Sequence, residues 1–474
     1  MENYKETGLF WLPANAEDQV VGELVFDVRE GVSLKLHRPF GNTWPESPAL
    51  IVGVAGAQEV TLLDPYETSR PVILMPHRLS TQTFHANRLL IGHAFDLRED
   101  VKFTAAGVSY YGLAEWVNQS GVEEDSVMSE DGMHDSVTLR YSQPEARSVR
   151  FAQGVIWIRF PWGLRNRLEE LTLTHAPSIY LEYDDAMDYG EILAHIKYIQ
   201  DFITLCTDRA VTPKEVTFYN RNIPVRMLDG STRGRQPIEY RASPITSSAF
   251  AMKSKPQFPL ELGYDAVGGV ETLAKWIQVA TEYAAAVNPM TSFRSEMKSF
   301  VENRFLNVAA AAEAFHHLKN PEETQVQEAE WNQLQELMLS AIPEEHCEWV
   351  SKELPYINHP ILSKRLTLLG KEAKTVTGSL SGDSRAKIDR WAGTVAAVRN
   401  ELTHRRSADD TFPGGVLHWL AESVYQVLRV CLLKECVTSD VFDRLAASQG
   451  HPELEAFVSA AIAEAREIVR RRRG

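Results

Sequence analysis

The run RAKIDRWAGTVAAVRNELTHRR (Arg385–Arg406) places Ile388, Trp391, Val395, Val398 and Leu402 at the three- and four-residue steps of one helical face. A helix is therefore expected over this run, with Arg399-Asn400-Glu401-Leu402-Thr403-His404 near its end. The pattern is an arginine, a polar amide, three spacers and a histidine. A guanidinium stays charged and can hold a phosphate bidentately. An imidazole gives or takes a proton near neutral pH. Together they suit RNA cleavage without a metal. Asn400 and His404, four apart, share a face. Arg399 and His404, five apart, stand roughly 140° apart around an ideal helix. They converge on one phosphate only if the long arginine bends round, the helix end is distorted, or a second subunit completes the site. Arg405 and Arg406 can hold further phosphates, or simply cap a helix C-terminus, where cations are favoured. By chance such a pattern turns up in roughly one chain in ten of this length, so its surroundings decide its meaning.

Those surroundings are helical. From about residue 266 onward, helical spacing is read over Val270–Val287, Ser292–Ala309 (running on towards Leu318), Glu322–Ala341, Glu344–Leu354, Pro360–Thr377, Ser384–Arg406, Val416–Cys436 and Pro452–Arg473. Residues 1 to about 185 read mainly as β. GELVFDVREGVSLKLH is two alternating runs around Arg29-Glu30-Gly31, a hairpin signal. Further strands are expected at Leu50–Val54, Glu59–Leu63, Val72–Met75, Thr81–Ile91, Ser136–Tyr141, Val149–Phe160, Leu171–Tyr183 and Val216–Leu228, with a short helix within Val108–Asn118 and a longer one at Tyr189–Cys206. The polar, acidic stretch 118–136 reads as a loop. Strands followed by helices give an α+β protein: a β-rich domain, sandwich- or barrel-like, then an all-α bundle. The boundaries expected are 1–229 for the β-rich domain, 230–265 for a proline-containing linker and 266–474 for the bundle.

The 474 residues carry 49 Lys and Arg against 64 Asp and Glu, a net charge of −15. A constitutive nonspecific nucleic-acid binder usually carries a basic face, so this balance argues against one. An enzyme that touches RNA locally remains compatible. Basic residues gather late, at Arg399, Arg405, Arg406, Arg466 and Arg470–Arg473. Cys206, Cys347, Cys431 and Cys436 are scattered without a Cys-x-x-Cys pair, which reads as reduced thiols. MENYKETGLFWLP lacks the basic and apolar regions of a signal peptide, and the apolar stretches are too short to cross a bilayer. A cytoplasmic protein without membrane contact is expected.

Other clusters carry weaker signals. Glu313, His316 and His317 on one helix can form a metal site, an auxiliary catalytic carboxylate or a solvated helix end. His346-Cys347, and Cys431 with Cys436, lack a second pair at structural-zinc spacing and read as buried thiols, so no metal is expected. Phe10, Trp11, Trp116, Trp157 and Trp162 can line a ligand groove, though a β-core fits their pattern better. Arg470–Arg473 can bind RNA, though a terminal charge run is usually solvated. No P-loop, Gly-x-Ser-x-Gly elbow, His-Glu-x-x-His or dinucleotide fingerprint occurs.

Arg-Asn-x-x-x-His in a C-terminal helical domain resembles the HEPN ribonuclease superfamily, and WAGTVAAVRNELTHRR is similar to its ApeA-like branch. GLFWLP (Gly8–Pro13), GELVFDVREGVSLKL (Gly22–Leu36), LAEWV (Leu113–Val117) and DFITLCTDRAVTPKEVTF (Asp201–Phe218) resemble the N-terminal part of that branch. The resemblance implies an endoribonuclease of anti-phage defence acting by abortive infection, with Arg399, Asn400 and His404 catalytic and Arg405 and Arg406 binding substrate. It implies no cofactor. The implied partners are RNA, with tRNA anticodon loops as the favoured target, a phage-derived trigger at the N-terminal domain, and a second copy of the chain. The competing expectation is a non-catalytic protein whose helical domain dimerises or binds nucleotide and whose β-domain binds a ligand.

Overall fold

The computed structural model describes residues 3–41, 48–69, 81–128, 134–242, 260–295, 299–404, 411–448 and 452–473. The α+β division holds: strands fill the first part of the chain and helices alone the last. The chain separates into two compact units. One comprises 1–203, 211–257 and 269–274; the other comprises 204–210, 258–268 and 275–474.

The β-rich unit opens with β1 (Tyr4–Leu12), β2 (Asn15–Asp27), β3 (Gly31–Leu36), β4 (Leu50–Ala55), β5 (Gln58–Leu63), β6 (Tyr66–Ser69), β7 (Gln82–Ala86) and β8 (Arg88–Ile91). The β2–β3 hairpin forms where the sequence places it. Asp27 Oδ1 accepts from the backbone N–H groups of Arg29 (2.7 Å) and Glu30 (3.1 Å), and Gly31 takes a positive φ of 84° that glycine adopts without penalty. Thr81–Ile91, read as one strand, bends at Asn87. Its first half pairs with β3 and its second with β5. The pairings β3–β7/β8–β5–β4–β1–β2–β3 therefore return to their start, which gives the barrel-like alternative. Inside lie Phe10, Leu24, Phe26, Leu34, Phe84 and Leu89, all essentially inaccessible. Gly8 is required where β1 meets β4, since a Cβ there would lie 2.1 Å from the Val54 carbonyl oxygen.

A second set of elements follows: β9 (Lys102–Tyr110), α1 (Leu113–Val117), β10 (Val122–Met128), β11 (His134–Tyr141), β12 (Arg147–Phe151), β13 (Gly154–Arg159), β14 (Trp162–Arg167), β15 (Glu170–His175), β16 (Ser178–Asp188), α2 (Tyr189–Thr207), β17 (Pro213–Tyr219), β18 (Val225–Arg226), β19 (Thr232–Arg233) and β20 (Ile238–Ala242); β10–β11, β14–β15 and β18–β19 are separate two-stranded sheets. The order β12-β13-β16-β9-β17-β20 joins the barrel through β20 on β8, so fourteen strands make one antiparallel ladder. α2 covers this half; Tyr110 Oη donates to the Ile196 carbonyl (2.7 Å), and Trp116 meets Phe202 edge-to-face.

Several expectations are corrected here. Part of the expected linker 230–265 is β20, a sheet strand, because Ile238 and Tyr240 alternate inward. The expected loop 118–136 contains β10, paired with β11. Apart from the half-buried Val122 and Tyr141, the described side chains of this hairpin are exposed, so no inward alternation marks it. Val149–Phe160 divides into a hairpin at Ala152-Gln153, and Leu171–Tyr183 divides before Pro177, which cannot donate to a ladder. Val216–Leu228 ends as a strand at Tyr219. Val72–Met75 lies outside the described residues.

The helical unit contains α3 (Gly269–Glu282, begun in the β-rich unit), α4 (Ala284–Ser295), α5 (Val301–Lys319), α6 (Glu328–Ser340), α7 (Glu344–Ile357), α8 (Leu362–Ser381), α9 (Arg385–Thr403), α10 (Gly414–Lys434), α11 (Ser439–Ser448) and α12 (Pro452–Arg473). Val270–Val287 is two helices, because Tyr283 leaves helical geometry (φ −103°, ψ 26°). Ser292–Ala309 is likewise divided: α5 begins only after Phe300, which is extended (ψ 140°). α11 is an addition to the helices expected from the sequence. α10 is the axis, apolar almost all round, with α5, α8 and α12 packed on it. It is the one helix among the described residues long and apolar enough to cross a membrane, and 83% of that window is buried, as a core helix would be. Beside it Arg294 bridges Asp208 (2.9 Å) and Glu422 (2.8 Å), while Arg429 donates to the Leu205 and Cys206 carbonyls. Burial alone would raise the Asp208 carboxyl, but the guanidiniums of Arg429 and Arg294 outweigh it and hold it below the usual range.

Candidate active site

α9 is fixed by its buried face. Ile388, Trp391, Val395, Val398 and Leu402 are all buried, as their spacing predicts. The indole N–H of Trp391 donates to Ser423 Oγ on α10 (2.9 Å). Gly370 lets α8 approach; a Cβ there would sit 2.9 Å from Ile388 Cγ2. These contacts set the rotation of α9, and hence where its last turn points.

Arg399 is half-buried and turns toward α5. Its Nη2 lies 3.6 Å from Glu313 Oε2, and its Nη1 donates to Asn400 Oδ1 at 3.3 Å. Both the Arg399 and Glu313 side chains keep about a third of their surface exposed, 36% and 35%, so solvent screens this pair. A phosphate could compete for the same guanidinium. Asn400 is exposed, and its carbonyl accepts the His404 N–H (3.0 Å). His404 caps α9 with its backbone already out of the helix (φ −115°, ψ 32°), and its ring is exposed. The helix end is thus altered only at His404 itself. The structure brings Arg399, Asn400 and Glu313 together and leaves His404 at the adjoining surface. Arg405 and Arg406 lie outside the described residues.

The sequence leaves three readings open for the cluster of Glu313, His316 and His317; the approach of Glu313 to Arg399 requires the tertiary packing of α5 on α9. Nor does the sequence place Arg472 of α12 at this end. It lies 4.0 Å from Glu401, donates to the Thr411 carbonyl (3.1 Å) and covers the Phe412 ring. The other clusters do not join the site. His316 is buried, with Nε2 3.1 Å from a Glu323 oxygen but not aligned for a hydrogen bond. Burial lowers its pKa more than Glu323 raises it. His317 meets His359 edge-to-face. The buried thiols of Cys431 and Cys436 face the Leu369 and Leu433 carbonyls, and burial pushes the Cys436 thiol up to about 12. Phe10 and Trp116 are core residues, whereas Trp162 is 52% exposed.

The model for the ApeA N-terminal domain 1 matches residues 5–259, and the model for the Apea-like HEPN domain matches residues 306–440. A search of curated proteins finds no match, and neither does a search of solved structures. HEPN domains are usually ribonucleases, which gives a nuclease-type role in defence at the level of the family. The first match spans more than half of the chain, and the second contains the helix that bears Arg399, Asn400 and His404; the chain belongs to the ApeA family, an ApeA N-terminal domain followed by an Apea-like HEPN domain.

Proposed function

We propose that this protein is an endoribonuclease that cleaves RNA without a metal, using Arg399, Asn400 and His404. The observation that carries the reading is an exposed imidazole just past the end of α9, with a guanidinium one turn earlier held beside Glu313 and Asn400. In the reaction a ribose 2′-oxygen attacks the adjacent phosphorus and the bond to the 5′-oxygen breaks. His404 moves a proton, as base to the nucleophile or as acid to the leaving oxygen. Arg399 stabilises charge growing on the phosphate oxygens, exchanging its solvent-screened partner Glu313 for the phosphate. Asn400 orients the phosphate or the ring. The products are a 2′,3′-cyclic phosphate and a 5′-hydroxyl. Arg405 and Arg406 would add phosphate contacts.

Single-stranded loops such as tRNA anticodon loops fit the reading, because proteins read RNA best where bases are splayed out. The active unit would be a homodimer through the helical domain, which brings two motifs together and offsets the angle between Arg399 and His404. The β-rich domain would hold the nuclease inactive in the bacterial cytoplasm until a phage product binds it, and cleavage would then halt the infected cell. The test is cleavage of total RNA by purified protein, alone and with lysate of phage-infected cells, in excess EDTA, with 5′-hydroxyl ends sequenced. Activity that EDTA removes and zinc or magnesium restores would reject the mechanism.

A further inference from the structure

α9 and α12 leave an open groove of about 1120 Å³ between them. Small residues line much of it: Ala386, Gly393 and Ala397 from α9 and Ala463 from α12, with Thr394 and Val469 beside them. A Cβ added at Gly393 would meet nothing within 4 Å. Arg390, Arg466 and Arg470 rim this space, all exposed. Among the described residues, none of the three is ion-paired to a carboxylate. Two carboxylates also line the groove, Asp389 and Glu467, but each is compensated from its own helix. Arg385 lies 3.8 Å from Asp389, and Arg471 pairs with Glu467. The groove is therefore net positive on a chain of net charge −15.

The groove also has a direction. Ala386, Arg390, Gly393, Ala397 and Asn400 follow one another along α9 at steps of four, three, four and three residues, a single helical face. His404 follows four residues after Asn400, where the backbone leaves the helix. We propose that this groove is the track for the phosphodiester backbone of single-stranded RNA, and that it delivers the phosphate to be cleaved to Asn400 and His404. The inference rests on the ribonuclease reading and names the surface that reading lacks. The small side chains let a strand lie close to the helix backbones. Arg466 and Arg470, one turn and about 6 Å apart along α12, offer planar guanidinium forks to phosphate oxygens. A second copy fits less well, because a two-fold contact made groove on groove would bring two surfaces of the same net positive charge together.

The test uses the full chain in a His404→Ala background, so that RNA is bound and not consumed, with a fluorescein-labelled single-stranded 20-nucleotide RNA as probe. Replacing Arg390, Arg466 and Arg470 by glutamine should weaken binding roughly tenfold or more and flatten the salt dependence by about two, ~0.7 for each phosphate left without its arginine. Gly393→Glu should weaken binding similarly while the protein stays folded, because its side chain enters open space. Lys371→Gln, an exposed cation on α8, should leave binding unchanged. RNA affinity and salt slope unaltered in the triple variant would overturn the groove while leaving the ribonuclease reading intact. A triple variant that instead loses self-association by light scattering, with RNA affinity retained, would also overturn it and assign the groove to a second copy. Failure of the reading itself looks different: the protein with His404 present would leave RNA uncut even when lysate of phage-infected cells is added.

Discussion

Arg399 and His404 sit five residues apart, yet one leans on α5 and the other stands in solvent at the end of α9. His404→Ala should lower RNA cleavage about 10²- to 10⁴-fold, the usual worth of a positioned acid or base. Its cost in stability should be about 0.5 kcal/mol or less, as for exposed substitutions generally, and thermal denaturation beside a cleavage assay checks both. Wild-type cleavage by His404→Ala would remove the catalytic assignment. Arg399→Ala should likewise abolish activity and leave the fold intact. Glu313→Gln tests the neighbour: with the competing carboxylate neutralised, Arg399 should take the phosphate more readily and cleavage should rise. An unchanged rate would make the Glu313 contact incidental. The residues of the motif are legible in the sequence because their order is local. The approach of Glu313 is not, because 86 positions of chain separate it from Arg399 and only the packing of α5 against α9 joins them.

At the scale of elements, α10 and the charged residues around it hold the bundle. Arg294 serves two carboxylates, Asp208 and Glu422, from a largely buried position. Arg294→Met should therefore destabilise the helical unit by about 3–5 kcal/mol, since removing one partner strands buried charge. Urea unfolding measures this, and a loss under about 1 kcal/mol would show the cluster to be solvated. Elements that bury one face are readable from sequence. The β2–β3 hairpin alternates inward, and α9 and α10 repeat at helical steps. Elements without a buried face are not: β10 has every residue but Val122 in open solvent, so its pairing with β11 follows from cross-strand contacts that composition conceals. Short elements escape for another reason. α11 offers only Val441, Phe442 and Leu445 as a buried set, too brief a period to separate from a turn. β20 is hidden by its proline-containing surroundings.

For the whole molecule, the proposed shared site has a direct test: mixing Arg399→Ala chains with His404→Ala chains should restore part of the cleavage that neither variant has alone. Full activity in a strictly monomeric protein would refute sharing. Both units should also lose stability in mild acid. His195 in the β-rich unit and His316 in the helical unit are held below the ordinary imidazole pKa by burial. The unfolded chain binds their protons first, so their contribution is complete above about pH 6.5 and falls away as the pH drops through the depressed folded values. Thermal midpoints at pH 7.5 and 5.5 should differ accordingly, and His195→Gln with His316→Gln should reduce the difference; an unchanged difference would assign it to other groups. The strand that bends at Asn87 closes a ring of pairings using the first 91 residues alone. Domains fold as units while the chain is still being made, N-terminal ones first. The ribosome thus has every strand of that ring, and later β20 on its edge, in hand some 150 codons before it reaches Arg399. In the order of synthesis the motif comes late, added to a chain whose β-rich half has already had time to form.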